Sequence, residues 1–162
     1  MAQSKDPIAS GEKLVCQNRK ARHEYFIDET VEAGLELRGT EVKSLREGKG
    51  SLQEAFVRIK QSEAWLEQFH IQPYEQGNRY NVDHDRRRRL LLHRKEIDRL
   101  EESTSRKGST IVPLKVYFKR GYVKVLIGLA RGKKAYDKRE DMKQRDHKRE
   151  MDRAMSRRRE GR

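Results

Sequence analysis

The sequence predicts a mainly β protein: about six antiparallel strands closed as a small barrel, two or three short peripheral helices, and a basic C-terminal tail. Three observations lead there. Apolar and polar residues alternate at period two in three separate stretches between residues 23 and 129. Each stretch is short and ends in turn residues or a charged loop. A set of strands this small, each with one apolar face, buries those faces best by curling into a barrel with a polar outside.

In chain order, residues 1–13 mix Gly, Pro, Ser, Lys and Asp without periodicity and read as a loose leader lacking an apolar signal-peptide core. HEYFID sets Tyr25 and Ile27 on one face and Phe26 on the other, and TVEAGLEL continues with Val31, Ala33, Leu35 and Leu37, giving a pair of strands. TEVKSLREG places Val42 and Leu45 three apart, with Thr40 as N-cap and Gly48 as stop, which predicts one or two helical turns. Val57 and Ile59, then Trp65, Phe69 and Ile71, alternate with polar residues around Gln61-Ser62-Glu63, the pattern of a hairpin. Residues 75–89 are polar, contain glycine and end in four arginines, Arg86 to Arg89, so they read as a long exposed loop. LLLHRKEIDRLEES predicts a second helix whose apolar stripe is Leu92, Ile97 and Leu100, ending before Gly108. Two last strands, Val112 to Lys119 and Tyr122 to Leu129, join at Lys119-Arg120-Gly121, and Pro113 places the start of the first on an edge. The barrel then covers residues 14–131 and is OB-like in strand number, while residues 132–162 form the tail.

At 162 residues the chain has room for one domain and an appendage. Its net charge is +13, and residues 131–162 hold +7 of it, fourteen Lys and Arg against seven Asp and Glu. Such an imbalance suits a polyanion, because cationic side chains displace its condensed counterions. A membrane fits poorly: no apolar run approaches the roughly 20 residues of a span, and the tail lacks the apolar face of an interfacial helix. The single cysteine, Cys16, leaves no internal disulfide and points to a reducing, cytoplasmic setting. The tail has charged residues at helical pairing distance, such as Glu140 with Lys143 and Asp141 with Arg145, but only Met142, Met151 and Met155 to bury. It therefore has latent helicity that needs a partner.

Enzyme chemistry has little in its favour. The five histidines are scattered, Gly48-Lys49-Gly50-Ser51 lacks the spacing of a phosphate loop, and Cys16, though near cations that favour a thiolate, has no His or Asn partner legible in the sequence. No metal and no cofactor is expected. RNA binding is better supported. NRKARHEYF offers Arg19, Lys20 and Arg22 for phosphates, with His23 and Tyr25 for stacking on exposed bases. Two placements stay open for Tyr25 and Phe26, on the surface against bases or inside the core. The arginine run is either solvated or holds one of Leu90, Leu91 and Leu92 out toward a partner.

Three separated motifs, NRKARHEYFIDETVEAGLELRGTEVKSLREGK, RRRRLLLHRKEID and GLARGKKAYDKRE, closely resemble the SsrA-binding protein family, also called small protein B, from about Leu14 to the C-terminus. The resemblance implies an OB-like barrel that binds the tRNA-like domain of transfer-messenger RNA and stands in for its missing anticodon arm. It implies delivery of that RNA, alanine-charged and with elongation factor Tu and GTP, to bacterial ribosomes stalled without a stop codon, which is trans-translation. It carries RNA binding onto Asn18, Arg22, His23, Glu32 and Leu91, beside which Arg89 and Lys124 join Arg19, Lys20 and Tyr25 as candidate contacts. It also implies a tail that is disordered when free and helical in the empty messenger channel of the ribosome. There Gly132, Lys133 and Lys134 match a hinge, and Tyr136, Asp137, Lys138 and Arg139 match the part near the decoding centre and 16S rRNA. One departure is Arg86, where many relatives have proline. A general structured-RNA-binding barrel without a dedicated partner is the alternative, and a magnesium nuclease would need carboxylates clustered apart from cations.

Overall fold

The computed structural model describes residues 11–160. Strand β1 (Glu12–Gln17) leads through the single-turn helix α1 (Ala21–Glu24) into the long strand β2 (Tyr25–Leu35). Helix α2 (Gly39–Arg46), the two-residue β3 (Gly50–Ser51), β4 (Phe56–Lys60), β5 (Glu63–Glu67) and β6 (His70–Ile71) follow. A 3-10 turn at Asn78–Tyr80 precedes β7 (Arg88–Leu91), helix α3 (Arg94–Lys107), β8 (Thr110–Lys119), β9 (Tyr122–Gly132) and helix α4 (Ala135–Glu160). Seven strands form one sheet in the order β1-β8-β9-β2-β7-β5-β4, and β3 and β6 form a second short sheet; the pairings among the described residues are antiparallel. Strand β4 also packs against β8, so the sheet curls round an inner face and makes the expected OB-like barrel.

Inside that curl lie Val31, Ala33 and Leu35 of β2, Leu66 of β5, Leu90 of β7, Val116 and Phe118 of β8, and Val123, Val125 and Ile127 of β9. Leu45 of α2 and Leu100 of α3 close the ends of this core. A smaller cluster of Ala21, Val112, Leu114 and Ala130, with Tyr25 and Ile27 against it, sits beneath α1. The register of β2 against β9 shifts between Ile27 and Glu29. That extra residue lets Tyr25 and Ile27 serve one cluster while Val31, Ala33 and Leu35, at the same sequence parity, serve the other.

Several expectations change here. Tyr25 to Leu35 form one strand where a pair was expected, and the apparent break is this bulge; His23 and Glu24 belong to α1, and Leu37 lies beyond the strand. Strand β1 begins at Glu12, so Glu12 and Lys13 belong to the sheet and not to a leader; residues 1–10 lie outside the described residues. Helix α2 starts one residue before Thr40, and Glu41 closes its first turn by accepting from Arg38 N at 2.8 Å, while Thr40 Oγ1 donates to the Tyr80 carbonyl at 3.3 Å. Strand β5 stops at Glu67 because Gln68 has φ +53°, which turns Phe69 and Ile71 into a different segment. Arg88 to Leu91 form a strand, so α3 begins only after His93, whose N–H donates to Glu96 Oε2 at 3.0 Å. Gly108, at φ +63°, ends α3 as the sequence predicts. Strand β8 is interior, between β1 and β9, yet Pro113 lies beyond the stretch that pairs with β1 and next to a shift in the β9 register.

Candidate RNA-binding surfaces

The run of four arginines is divided by the pleat of β7. Arg89 and Leu91 point outward while Arg88 and Leu90 are buried. Arg88 is wholly inaccessible and meets Glu41, itself 4% exposed: Nε donates to Glu41 Oε1 at 2.9 Å. Arg86 binds the same carboxylate, with Nε on Oε1 at 3.0 Å and a terminal nitrogen on Oε2 at 2.6 Å. Arg88 also donates to the carbonyls of Phe69, Arg86 and His84. Burial pushes the Glu41 carboxyl up, but the Arg86 contact, the Arg38 amide and the Arg88 charge outweigh it and hold the carboxyl below its ordinary range. These two arginines are structural, and the loop of residues 75–87 is pinned to the barrel by them.

On the outer face of the sheet, register brings Leu91, Gly34 and Lys124 into one row across β7, β2 and β9, with Tyr117 of β8 next in line. Leu91 is 53% exposed and lies against the Gly34 backbone; a Cβ at position 34 would stand 3.1 Å from that of Leu91. A side chain at position 34 would crowd the leucine, which would have to shift by a few tenths of an ångström. The open groove beside it, of about 200 Å³, is lined by Gly34, Leu37, Val42, Leu91, Tyr122 and Lys124 among others. Glu32 stands two residues back along β2 on the same face, and its carboxylate accepts from the Tyr117 hydroxyl and from Lys119 Nζ at 3.3 Å. Partial burial pushes the Glu32 carboxyl up, but these two donors and the charge of Lys124 prevail and hold it below its ordinary range. Burial and the Glu32 charge together push the Tyr117 hydroxyl up, so it stays a donor. The result is an exposed leucine, an exposed tyrosine and a lysine around one depression, with a carboxylate of fixed orientation two residues along β2 on the same face, a set able to accept from base or sugar donors while contacting a phosphate.

The first motif lies at the other end of the β2–β9 ladder, where Tyr25 pairs with Gly132. Nine steps along β2, roughly 30 Å at 3.3 Å each, separate it from Gly34. Asn18 has a structural part there: its Oδ1 accepts from Ala21 N at 3.3 Å and its Nδ2 donates to the Pro113 carbonyl at 3.2 Å, fixing the entry to α1. Arg19 and Lys20 are exposed, and Arg22 and His23 are half-buried. The open question about the aromatics is decided by the bulge: Tyr25 packs against the smaller cluster, and Phe26 is outside, 39% exposed, with Lys133 Nζ 5.0 Å and the Arg131 guanidinium 5.7 Å from its ring centroid. Arg89 is exposed but paired to Glu63 at 3.2 Å.

At the root of the tail, the Lys133 side chain is only 7% exposed. Its ammonium donates to the Arg22 carbonyl at 2.9 Å and to the Asp141 carboxylate, and its backbone N–H donates to the Glu24 carbonyl at 2.8 Å. Asp137 Oδ2 accepts from Lys134 N at 3.2 Å, closing the first turn of α4. Gly132 still belongs to β9, and Tyr136 is 69% exposed, while Lys138 is half-buried and Arg139 exposed. The helix of 26 residues, about 39 Å at 1.5 Å per residue, leaves its methionines half exposed or more.

The sequence reading missed Tyr117, Lys119 and Tyr122, although the alternation Leu114, Val116, Phe118 against Lys115, Tyr117, Lys119 was visible in it. It also missed the meeting of His70, His84 and Asp85, which no local spacing indicates. For Cys16 burial outweighs the lowering pull of a hydrogen bond with the Val116 backbone and pushes the thiol up to about 12, so the thiolate expected from nearby cations does not form. No helix among the described residues is long and apolar enough to cross a membrane.

A family model described as SmpB protein matches residues 15–157, the barrel and nearly all of the tail. An SsrA-binding protein of Pelobacter propionicus is 59% identical over 145 residues, covering 90% of this chain and 95% of the relative. That of Shouchella clausii is 58% identical over 149 residues, 92% of this chain and 96% of the relative, and that of Bacillus velezensis 54% over 155, 96% and 99%. Among solved structures, a chain from work on tmRNA-SmpB and its journey to the centre of the bacterial ribosome is 56% identical with a TM-score of 0.62, covering 74% of this chain and 85% of that one. The chain belongs to the SmpB family of SsrA-binding proteins.

Proposed function

We propose that this chain binds transfer-messenger RNA through its barrel and acts with it on stalled bacterial ribosomes in trans-translation. The observation that carries the reading is that the likeness to SsrA-binding proteins runs without interruption across both barrel and tail. The groove lined by Leu91, Tyr122 and Lys124, with Glu32 further along the same face of β2 and Arg89 beside Leu91 on β7, is the surface suited to the tRNA-like domain. Arg19, Lys20, Arg22 and His23, near the tail root, make a second basic patch for phosphates.

The tail takes the empty messenger channel and reaches the decoding centre. A helix this polar has no apolar stripe to stabilise it, so phosphates lining a channel are the environment that favours it over a disordered state. Tyr136 stacks there on an exposed base, Lys138 and Arg139 meet rRNA phosphates, and Gly132 to Lys134 set the angle at which the helix leaves the barrel. Elongation factor Tu with GTP enters through the charged RNA, in keeping with the family resemblance.

The test separates barrel from tail. Truncation before Gly132 is expected to leave transfer-messenger RNA affinity nearly unchanged and to abolish peptide tagging on stalled ribosomes; equal loss of both activities sinks the division of labour. Competition decides between a dedicated and a general RNA binder. If excess tRNA displaces transfer-messenger RNA as well as unlabelled transfer-messenger RNA does, the partner is not specific.

A further inference from the structure

His70 on β6 and His84 and Asp85 ahead of β7 converge although they are fourteen and fifteen positions apart. Their ligand atoms all lie within 4.8 Å of one another. His70 Nδ1 stands 3.0 Å from Asp85 Oδ1, His84 Nε2 stands 3.2 Å from Asp85 Oδ2, and the two rings meet edge to face with centroids 4.9 Å apart. The three side chains are 42%, 48% and 54% exposed, so a solvated ion reaches them.

The backbone that carries them is held from several sides. The His84 carbonyl accepts from Ile71 N at 3.1 Å and from the buried Arg88 at 3.2 Å, which ties the histidine loop to the residue next to His70. Asp85 N donates to Asp83 Oδ1 at 3.0 Å, and His70 pairs with Ser51 across the short sheet. The backbone that presents the three side chains is thus held by the barrel, and what is left for a ligand to order is the side chains themselves.

Two imidazoles and one carboxylate suit zinc, nickel or cobalt and not magnesium or calcium, which take oxygen ligands. Each histidine presents one nitrogen to the shared carboxylate. If its N–H moves to the other ring nitrogen, the facing nitrogen offers a lone pair, and small side-chain rotations bring two nitrogens and one carboxylate oxygen to the roughly 2.0–2.2 Å of zinc coordination. We propose that His70, His84 and Asp85 form a three-ligand site for a zinc-class divalent cation, its fourth position left to water, which fastens the loop before β7 to β6. That loop runs directly into Arg89 and Leu91, so the ion stiffens the margin of the proposed RNA groove.

The experiment is calorimetric titration of the full chain, without an affinity tag, with zinc chloride in metal-stripped buffer, and cobalt(II) as a coloured second probe. One ion per chain is expected, with a visible cobalt band of four-coordinate geometry. His84→Ala and Asp85→Asn change exposed side chains and leave the fold intact, as circular dichroism will verify. Each is expected to weaken zinc binding by about 10-fold or more, the order seen even for supporting residues around metal sites, while His147→Ala in the tail leaves it unchanged. Absence of saturable binding overturns the proposal, as does binding that survives both substitutions or falls equally in His147→Ala.

Discussion

In the barrel, Glu41 is 4% exposed between Arg86 and Arg88, whereas in the tail Arg149 and Asp146 stand 3.9 Å apart with about seven-tenths of each side chain in water. Both regions are rich in charge, but they use it in opposite ways. In the barrel, the buried charges of Glu41 and Arg88 are saturated by fixed partners and hold loops in place, since an unpaired charge in that setting is costly. Past the joint at Lys133 and Asp141, tail charges such as Arg149 and Asp146 are loosely paired, keep their hydration, and remain available for an external polyanion. Between the two stands Lys133, a tail residue that is buried like a barrel residue and joins them through Arg22 and Asp141.

The sharpest way to break this comparison is to unbalance the barrel pair. Arg88→Met is expected to cost about 3–5 kcal/mol in denaturant unfolding, because Glu41 loses its buried partner. Removal of residues 134–162 is expected to shift the same midpoint by less than about 0.5 kcal/mol. Equal shifts would mean that the tail is part of the cooperative core. The acid limb supplies a second reading: since the Glu41 carboxyl is held below its ordinary value of 4.5, its contribution is complete above that pH and lost as pH falls through the lower folded value. Arg88→Met flattens that slope.

Next in size is Tyr136, whose ring is open and uncommitted to the core. Replacement by alanine is expected to weaken the ribosomal step by about 1–3 kcal/mol, the worth of one stacked base, and replacement by histidine by less. Peptide-tagging rates of the two variants on stalled ribosomes measure this, and equal defects count against stacking. A smaller effect is expected at the joint. Lys133→Met and Asp141→Asn each should slow tagging about 10-fold by misdirecting the helix, without changing affinity for transfer-messenger RNA. Loss of RNA affinity in either would move Lys133 from the joint to the RNA surface.

The smallest expected effect sharpens the barrel side. Tyr117→Phe removes the donor that orients Glu32 and should weaken binding of transfer-messenger RNA by about 1 kcal/mol, the net value of one hydrogen bond. A filter-binding titration tests it, and a raised Glu32 pKa by NMR accompanies it if the hydroxyl is what holds the carboxylate ionised.

Local pattern was enough for much of the fold. Period-two alternation placed β4, β8 and β9, Gly108 marked the end of α3, and the chain from Leu14 onward carried its family likeness in three motifs. The charge excess of the tail was equally legible, because composition needs no coordinates. What the sequence by itself determined, then, is the class of fold and the polyanionic character of the partner. Tertiary structure alone decided which charges are available. Arg88 and Arg89 are adjacent in sequence, yet the pleat sends one into Glu41 and the other to the surface; Tyr25 and Phe26 are sorted in the same manner by the bulge at Asp28. Glu32, Leu91 and Lys124 meet only because three strands distant in sequence fall into register around Gly34. Which face a residue takes and whom it meets are non-local quantities, set by pairing register and curvature, and no window of sequence contains them.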